Sequence, residues 1–181
     1  MNLNATRIQK LTLAAVCLAL CLVLPFLTAN IPQIGSALCP MHIPVFLCAF
    51  VCGPWWAAAV GAMAPAVRFL LVGMPPLFPT GLAMCFELAA YGLIAGMLYH
   101  LLPKKPRYIY AALLCAMLGG RIVWGIARVV MSGVSGEAFT WAAFLAGAFT
   151  NAVPGMILHI ALIPVVVMAL QRALPWMKKG N

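Results

Sequence analysis

Long apolar runs alternate along this chain with short breaks that carry most of its charge. Runs at Leu11–Ala29, Thr80–Leu102 and Tyr108–Met131, and a last one near Ala152–Arg172, each have the length of about 20 residues that a helix needs to cross a bilayer. The stretch Ile34–Val72 is too long for one crossing and is interrupted at Gly53-Pro54, a turn signal. It reads as a hairpin with arms of about 18 residues, or about 27 Å at 1.5 Å per residue.

Basic residues decide the topology. Arg7 and Lys10 precede the first span, Lys104, Lys105 and Arg107 separate the fourth from the fifth, and Arg172, Lys178 and Lys179 close the last. With the hairpin counted as two spans, all three clusters fall on the cytoplasmic side, as the positive-inside rule requires; counted as one, the Lys104 cluster lies outside. The pattern predicts an all-α membrane protein of six transmembrane helices with both termini cytoplasmic. Glu137–Ala148, with Phe139, Trp141 and Phe144, predicts an interfacial helix over the outer face. The sixth span then starts near Asn151-Ala152-Val153-Pro154, with Asn151 as its cap and the proline in its first turn. No repeat or linker divides the chain, so residues 1–181 read as a single domain.

Composition narrows the function classes. Hydrophobic residues make up 66% of the 181 positions and charged residues 7%, which cannot supply the surface of a soluble domain. The net charge of +9 is dispersed between spans rather than gathered in a patch, which argues against nucleic-acid binding. Of the seven cysteines, Cys17/Cys21 and Cys48/Cys52 share helix faces without further ligands at usable spacing, so they read as small core hydrophobes and no metal is expected. The first run is long enough to span, and Ala29-Asn30-Ile31-Pro32 lacks a cleavage pattern, so it reads as a helix rather than a leader.

Charges inside spans mark the candidate chemistry. Arg68, Glu87, Arg121 and Arg128 each cost at least about 2.5 kcal/mol at a bilayer centre and are expected to face the bundle interior or a cavity. Topology puts them in the outer half, together with His42, which opens a predicted Met41-His42-Ile43-Pro44 turn. Glu87 can bridge to one arginine, which leaves two arginines over; Glu137 can meet Arg128 at the outer surface. A pocket with surplus positive charge suits an anion, most simply a carboxylate on a guanidinium fork. Tyr91, one turn from Glu87, Trp124, Asn151 and His159 complete the candidate substrate-binding set. For the two aromatics, packing is the default alternative; His159 is divided between helix packing and pocket. His100 is expected at the cytoplasmic interface.

There is no phosphate-binding Gly-x-x-x-x-Gly-Lys-Ser/Thr loop, no His-Glu-x-x-His and no serine elbow. No enzymatic activity and no cofactor are expected.

The ordered pieces Ala15-Val-Cys-Leu-Ala19, Met41-His42-Ile43-Pro44-Val45 leading to Gly53-Pro54, Gly73-Met74-Pro75-Pro76, Glu87-Leu88-Ala89-Ala90-Tyr91-Gly92 and Gly119-Gly120-Arg121-Ile122-Val123 extend over most of the chain. Together they resemble the substrate-binding S components of energy-coupling factor (ECF) vitamin transporters, in the branch with pantothenate, riboflavin and pyrimidine-precursor binders. The resemblance implies an S-component-like six-helix bundle in the bacterial plasma membrane, surrounded by lipid, that captures a vitamin-like nutrient at its outer face. It also implies a transmembrane coupling scaffold and two ATPase subunits as partners, with Ala15 and Ala19 on the docking face of helix 1. A structural membrane protein of the MreD kind would share the topology but not explain the surplus arginines. A solitary secondary carrier would need a repeat or broken helices, which are not evident in the sequence.

Overall fold

A computed structural model describes residues 3–28, 35, 37–103, 105–136, 140–148 and 152–173. Among them, the regular elements are helical: α1 (Leu3–Val23, continued as a 3-10 turn over Leu24–Thr28), α2 (His42–Val51), α3 (Pro54–Val72), α4 (Leu82–Leu101), α5 (Pro106–Ser135), α6 (Trp141–Ala148) and α7 (Val153–Ala173). Local chemistry sets several ends. Proline opens α3 and α5, where a missing N–H costs nothing. Gly73 and Gly136 close the same helices in the left-handed conformation, their N–H groups bonding back to the carbonyls of Phe69 and Ser132.

Five helices among the described residues have the length and hydropathy to cross a membrane, and α2 is a shorter apolar one. The expected hairpin is matched in part. Its second arm is the 19-residue α3, and its first arm contains the 10-residue α2, about 15 Å long, with a break before it. Cys39 has φ +48 and Pro40 follows it, so the chain turns at Cys39–Met41, between the helical residues Ala37-Leu38 and the start of α2 at His42. The predicted turn at Met41–Pro44 is thus displaced, and Pro44 lies inside the first turn of α2.

A helix, α6, forms within the segment expected to be interfacial, and α7 begins at Val153 with Pro154 in its first turn. Asn151, Lys104, Lys178 and Lys179, and the Glu137–Phe139 end of the predicted interfacial helix, lie outside the described residues.

Packing centres on α4, which lies against α2, α3 and α5. Its contact with α3 is made by backbone: a Cβ at Gly92 would stand 2.6 Å from the carbonyl carbon of Ala57, and one at Gly61 would stand 2.4 Å from the carbonyl oxygen of Leu88. Small residues allow this approach in membranes, where dispersion rather than water exclusion holds helices together. The other side of the bundle is apolar and exposed. Leu114, Leu118, Ile122, Ile126 and Val129 form one stripe along α5 that suits lipid.

Gly92→Leu should force α3 and α4 apart and destabilise the protein by roughly 1–3 kcal/mol. Thermal unfolding in detergent measures this; an unchanged melting curve would show that the two backbones do not touch at this point.

Candidate functional site

Four polar residues share one depth in the bundle. Counted from the end that carries Lys105 and Arg107, Arg68 lies 14 residues from Pro54, Glu87 14 from Leu101, Arg121 15 from Pro106 and His159 14 from Ala173. At 1.5 Å per residue the layer is about 21 Å from that end, somewhat beyond the middle of a core of about 30 Å.

Glu87 is the centre of the layer. It is 2% exposed, and its Oε1 accepts from Arg121 Nη1 at 2.8 Å and from the Tyr91 hydroxyl at 2.8 Å. Tyr91 reaches it because Glu87 and Tyr91 are one helical turn apart. Across the α4–α5 contact Gly120 leaves room for the tyrosine, since a Cβ there would stand 2.3 Å from its ring. Arg121 Nη2 points to the Cys39 thiol at 3.8 Å, which ties the ion pair to the break before α2.

Two imidazoles flank the pair. His42, the first residue of α2, has Nε2 3.8 Å from Glu87 Oε1, beyond hydrogen-bond reach. Its ring lies 5.2 Å from Tyr91 and 5.8 Å from His159, nearly parallel to the latter at 22°. Both histidines are 3% exposed, yet His42 Nδ1 and Nε2 and His159 Nε2 have no hydrogen-bond partner among the described residues. Phe46, fully buried, closes the group with its ring 5.1 Å from Tyr91 and 6.0 Å from His159.

Of the residues singled out from sequence, His42, Glu87, Tyr91, Arg121 and His159 therefore come together. Arg68 is engaged elsewhere in the layer: its Nη1 donates to the Leu22 carbonyl at 2.9 Å and its guanidinium lies 5.1 Å from the Phe26 ring centre. It caps the C-terminal end of α1, where a cation suits the exposed carbonyls. Trp124 is half-buried and stacks on Phe144 of α6 at 6.4 Å, while Phe144 stacks on Trp141 at 5.1 Å. Arg128 is half-buried two turns beyond Arg121, and Asn151 falls outside the described residues. Ala15 and Ala19 are exposed on α1, while Ala14 and Cys21 turn inward.

Cys39 and Phe46 were not foreseen. Cys39 precedes a proline, a position biased away from helix, and that was the signal for both the break and its thiol. Phe46 had only its spacing of four from His42 within a uniformly apolar run.

Removing one member of a buried ion pair strands the other, at a cost of about 3–5 kcal/mol. Glu87→Leu and Arg121→Met should each destabilise the protein to that degree, and the double variant should recover most of the loss. Chemical denaturation in detergent tests this double-mutant cycle; additive losses would mean that the two residues do not interact.

The search of curated proteins finds no match to this chain, and neither does that of solved structures. A family model described as ECF transporter, substrate-specific component, does match, over residues 9–167. That range takes in the helices that build the buried cluster, and it separates this chain from the structural and solitary-carrier alternatives. The chain belongs to the substrate-specific components of ECF transporters.

Proposed function

We propose that this protein captures a small, carboxylate-bearing, vitamin-like nutrient, with pantothenate as the best-fitting candidate, in the cluster around His42, Arg121 and His159. Family membership makes it a multi-pass, substrate-binding transport subunit rather than an enzyme, and implies association with an ECF scaffold and ATPase subunits. Six crossings with cytoplasmic termini, and entry from the outer face of a bacterial plasma membrane, are the arrangement that the basic clusters favour.

The observation that carries the substrate reading is the set of three buried imidazole nitrogens that lack a hydrogen-bond partner among the described residues. Each unsatisfied buried polar group costs about 1–3 kcal/mol, and a ligand with hydrogen-bonding groups would relieve that cost. Charge gives the ligand its sign. The ion pair with Glu87 occupies Arg121 Nη1, while Nη2 meets, among the described residues, a thiol at 3.8 Å, a weak contact that a carboxylate oxygen would replace. The N-terminus of α2 opens at His42 and adds partial positive charge at the same place. Tyr91 and Phe46 supply an apolar wall. Glu87 holds this centre in place, with Arg68 in the same layer and Trp124 and Arg128 further along α5; Asn151 lies outside the described residues.

His159→Phe keeps the ring packing and removes the ring nitrogens. It should weaken pantothenate binding by ten- to a hundredfold, or about 1.4–2.7 kcal/mol. Calorimetry on purified protein against pantothenate, its amide analogue and riboflavin decides the charge argument. Equal affinity for acid and amide would refute it, even with the transporter assignment intact.

Assembly is assigned to the exposed alanine face of α1. Ala15 and Ala19 lie one turn apart and let a partner helix approach closely. Ala15→Trp should abolish copurification of scaffold and ATPase subunits while leaving ligand affinity within about twofold. Normal transport by this variant would remove α1 as the docking face.

A further inference from the structure

A second feature lies at the far end of the bundle from the polar layer. Where the start of α1, the α2–α3 turn and the end of α4 meet, a cleft of about 490 Å³ is lined by Lys10, Trp55, Trp56, Met97, His100 and Leu101, with Cys52-Gly53-Pro54 as its floor. Among the described residues no carboxylate lines it. Its walls are mostly apolar and open outward, with Trp55 72% and Leu101 80% exposed. Lys105 and Arg107 lie just beyond, at the start of α5, so this is the end that the basic residues assign to the cytoplasm.

We propose that this cleft binds one anionic phospholipid of the inner leaflet, its phosphate held by Lys10 and His100 and its glycerol and upper acyl chains against Trp55, Trp56, Met97 and Leu101. Three observations select this occupant. The Lys10 ammonium and the polar ring of His100 beside apolar walls match a molecule that is anionic at one end and hydrocarbon at the other. A free phosphate or soluble nucleotide would leave exposed indole and leucine surface in contact with water. A zwitterionic headgroup would bring its ammonium beside Lys10, with no acid among the described lining residues to receive it. Indoles at headgroup level are also where tryptophan prefers to sit in a bilayer. The position fixes α1, α3 and α4 relative to the membrane surface, so a bound lipid would set the bundle's depth and tilt. This site is independent of the nutrient-binding reading.

Tryptophan fluorescence of the full chain in nanodiscs tests it. Trace phosphatidylglycerol or phosphatidylcholine with brominated acyl chains is added to an unlabelled background, and a Trp55→Phe/Trp56→Phe variant assigns the share of quenching that comes from the cleft. Brominated phosphatidylglycerol should quench that share more than the phosphatidylcholine analogue. Lys10→Gln should reduce the preference about fivefold, the effect of one basic residue at an anionic surface, and Lys10→Arg should retain it. Lys105→Gln/Arg107→Gln, which removes charge from the same end but outside the cleft, should change it by less than about twofold. Equal quenching by both lipids would overturn the proposal, since the cleft would then select no headgroup. An equal loss in the Lys105/Arg107 variant would reduce the preference to diffuse attraction and overturn it too. Absence of cleft quenching by either lipid would mean that lipid does not enter and would leave the cleft to a protein partner.

Discussion

The ion pair between Glu87 and Arg121 is the interaction on which the rest of this bundle depends. Either charge alone is strongly disfavoured in a surface that is otherwise apolar, and together, at 2.8 Å, they are tolerable. Because the two residues stand on different helices, satisfying them sets the rotation of α4 against α5. That rotation brings Tyr91 over Gly120 and onto the same carboxylate oxygen. It also aims the second Arg121 nitrogen at Cys39, so the break in the chain before α2 is held at the same depth.

The short α2 follows from that break and gives the site its character. A helix that started at the membrane surface would carry its positive end there. Starting at His42, after the turn at Cys39–Met41, α2 brings its positive end and an imidazole to the ion pair. His159 arrives from α7 to stack on His42, and among the described residues three nitrogens of the two rings are buried without a hydrogen-bond partner, at a cost to the core. In an S component, a polar centre that is incompletely satisfied by its own protein is where a ligand has most to contribute.

Much of this was legible from sequence. The apolar runs and the positions of Lys10, Lys105 and Arg107 are strong signals because length and charge act through the bilayer, not through particular neighbours. Glu87 was the one acid inside a predicted span, so its pairing with an arginine followed from cost alone. What could not be read depends on tertiary context. Leu38–Cys52 is almost uniformly apolar, and nothing in that composition shows that Cys39 takes a left-handed conformation and splits the predicted span. Arg68 looked equivalent to Arg121; it serves α1 because the regular helix ends at Val23, close enough for its guanidinium to reach the Leu22 carbonyl. Trp124 stood near the right residues in sequence, but its ring belongs to the α5–α6 contact with Phe144.

The most direct measurement is mass spectrometry of small molecules released by denaturing protein purified from cells without added nutrient. Buried imidazole nitrogens without a hydrogen-bond partner among the described residues, beside Arg121, predict a near-stoichiometric, carboxylate-bearing compound from the wild type and its loss from a His42→Phe/His159→Phe variant that still melts cooperatively. Release of a neutral compound, or of the same compound in equal amount from both proteins, would contradict the placement of the substrate at this cluster.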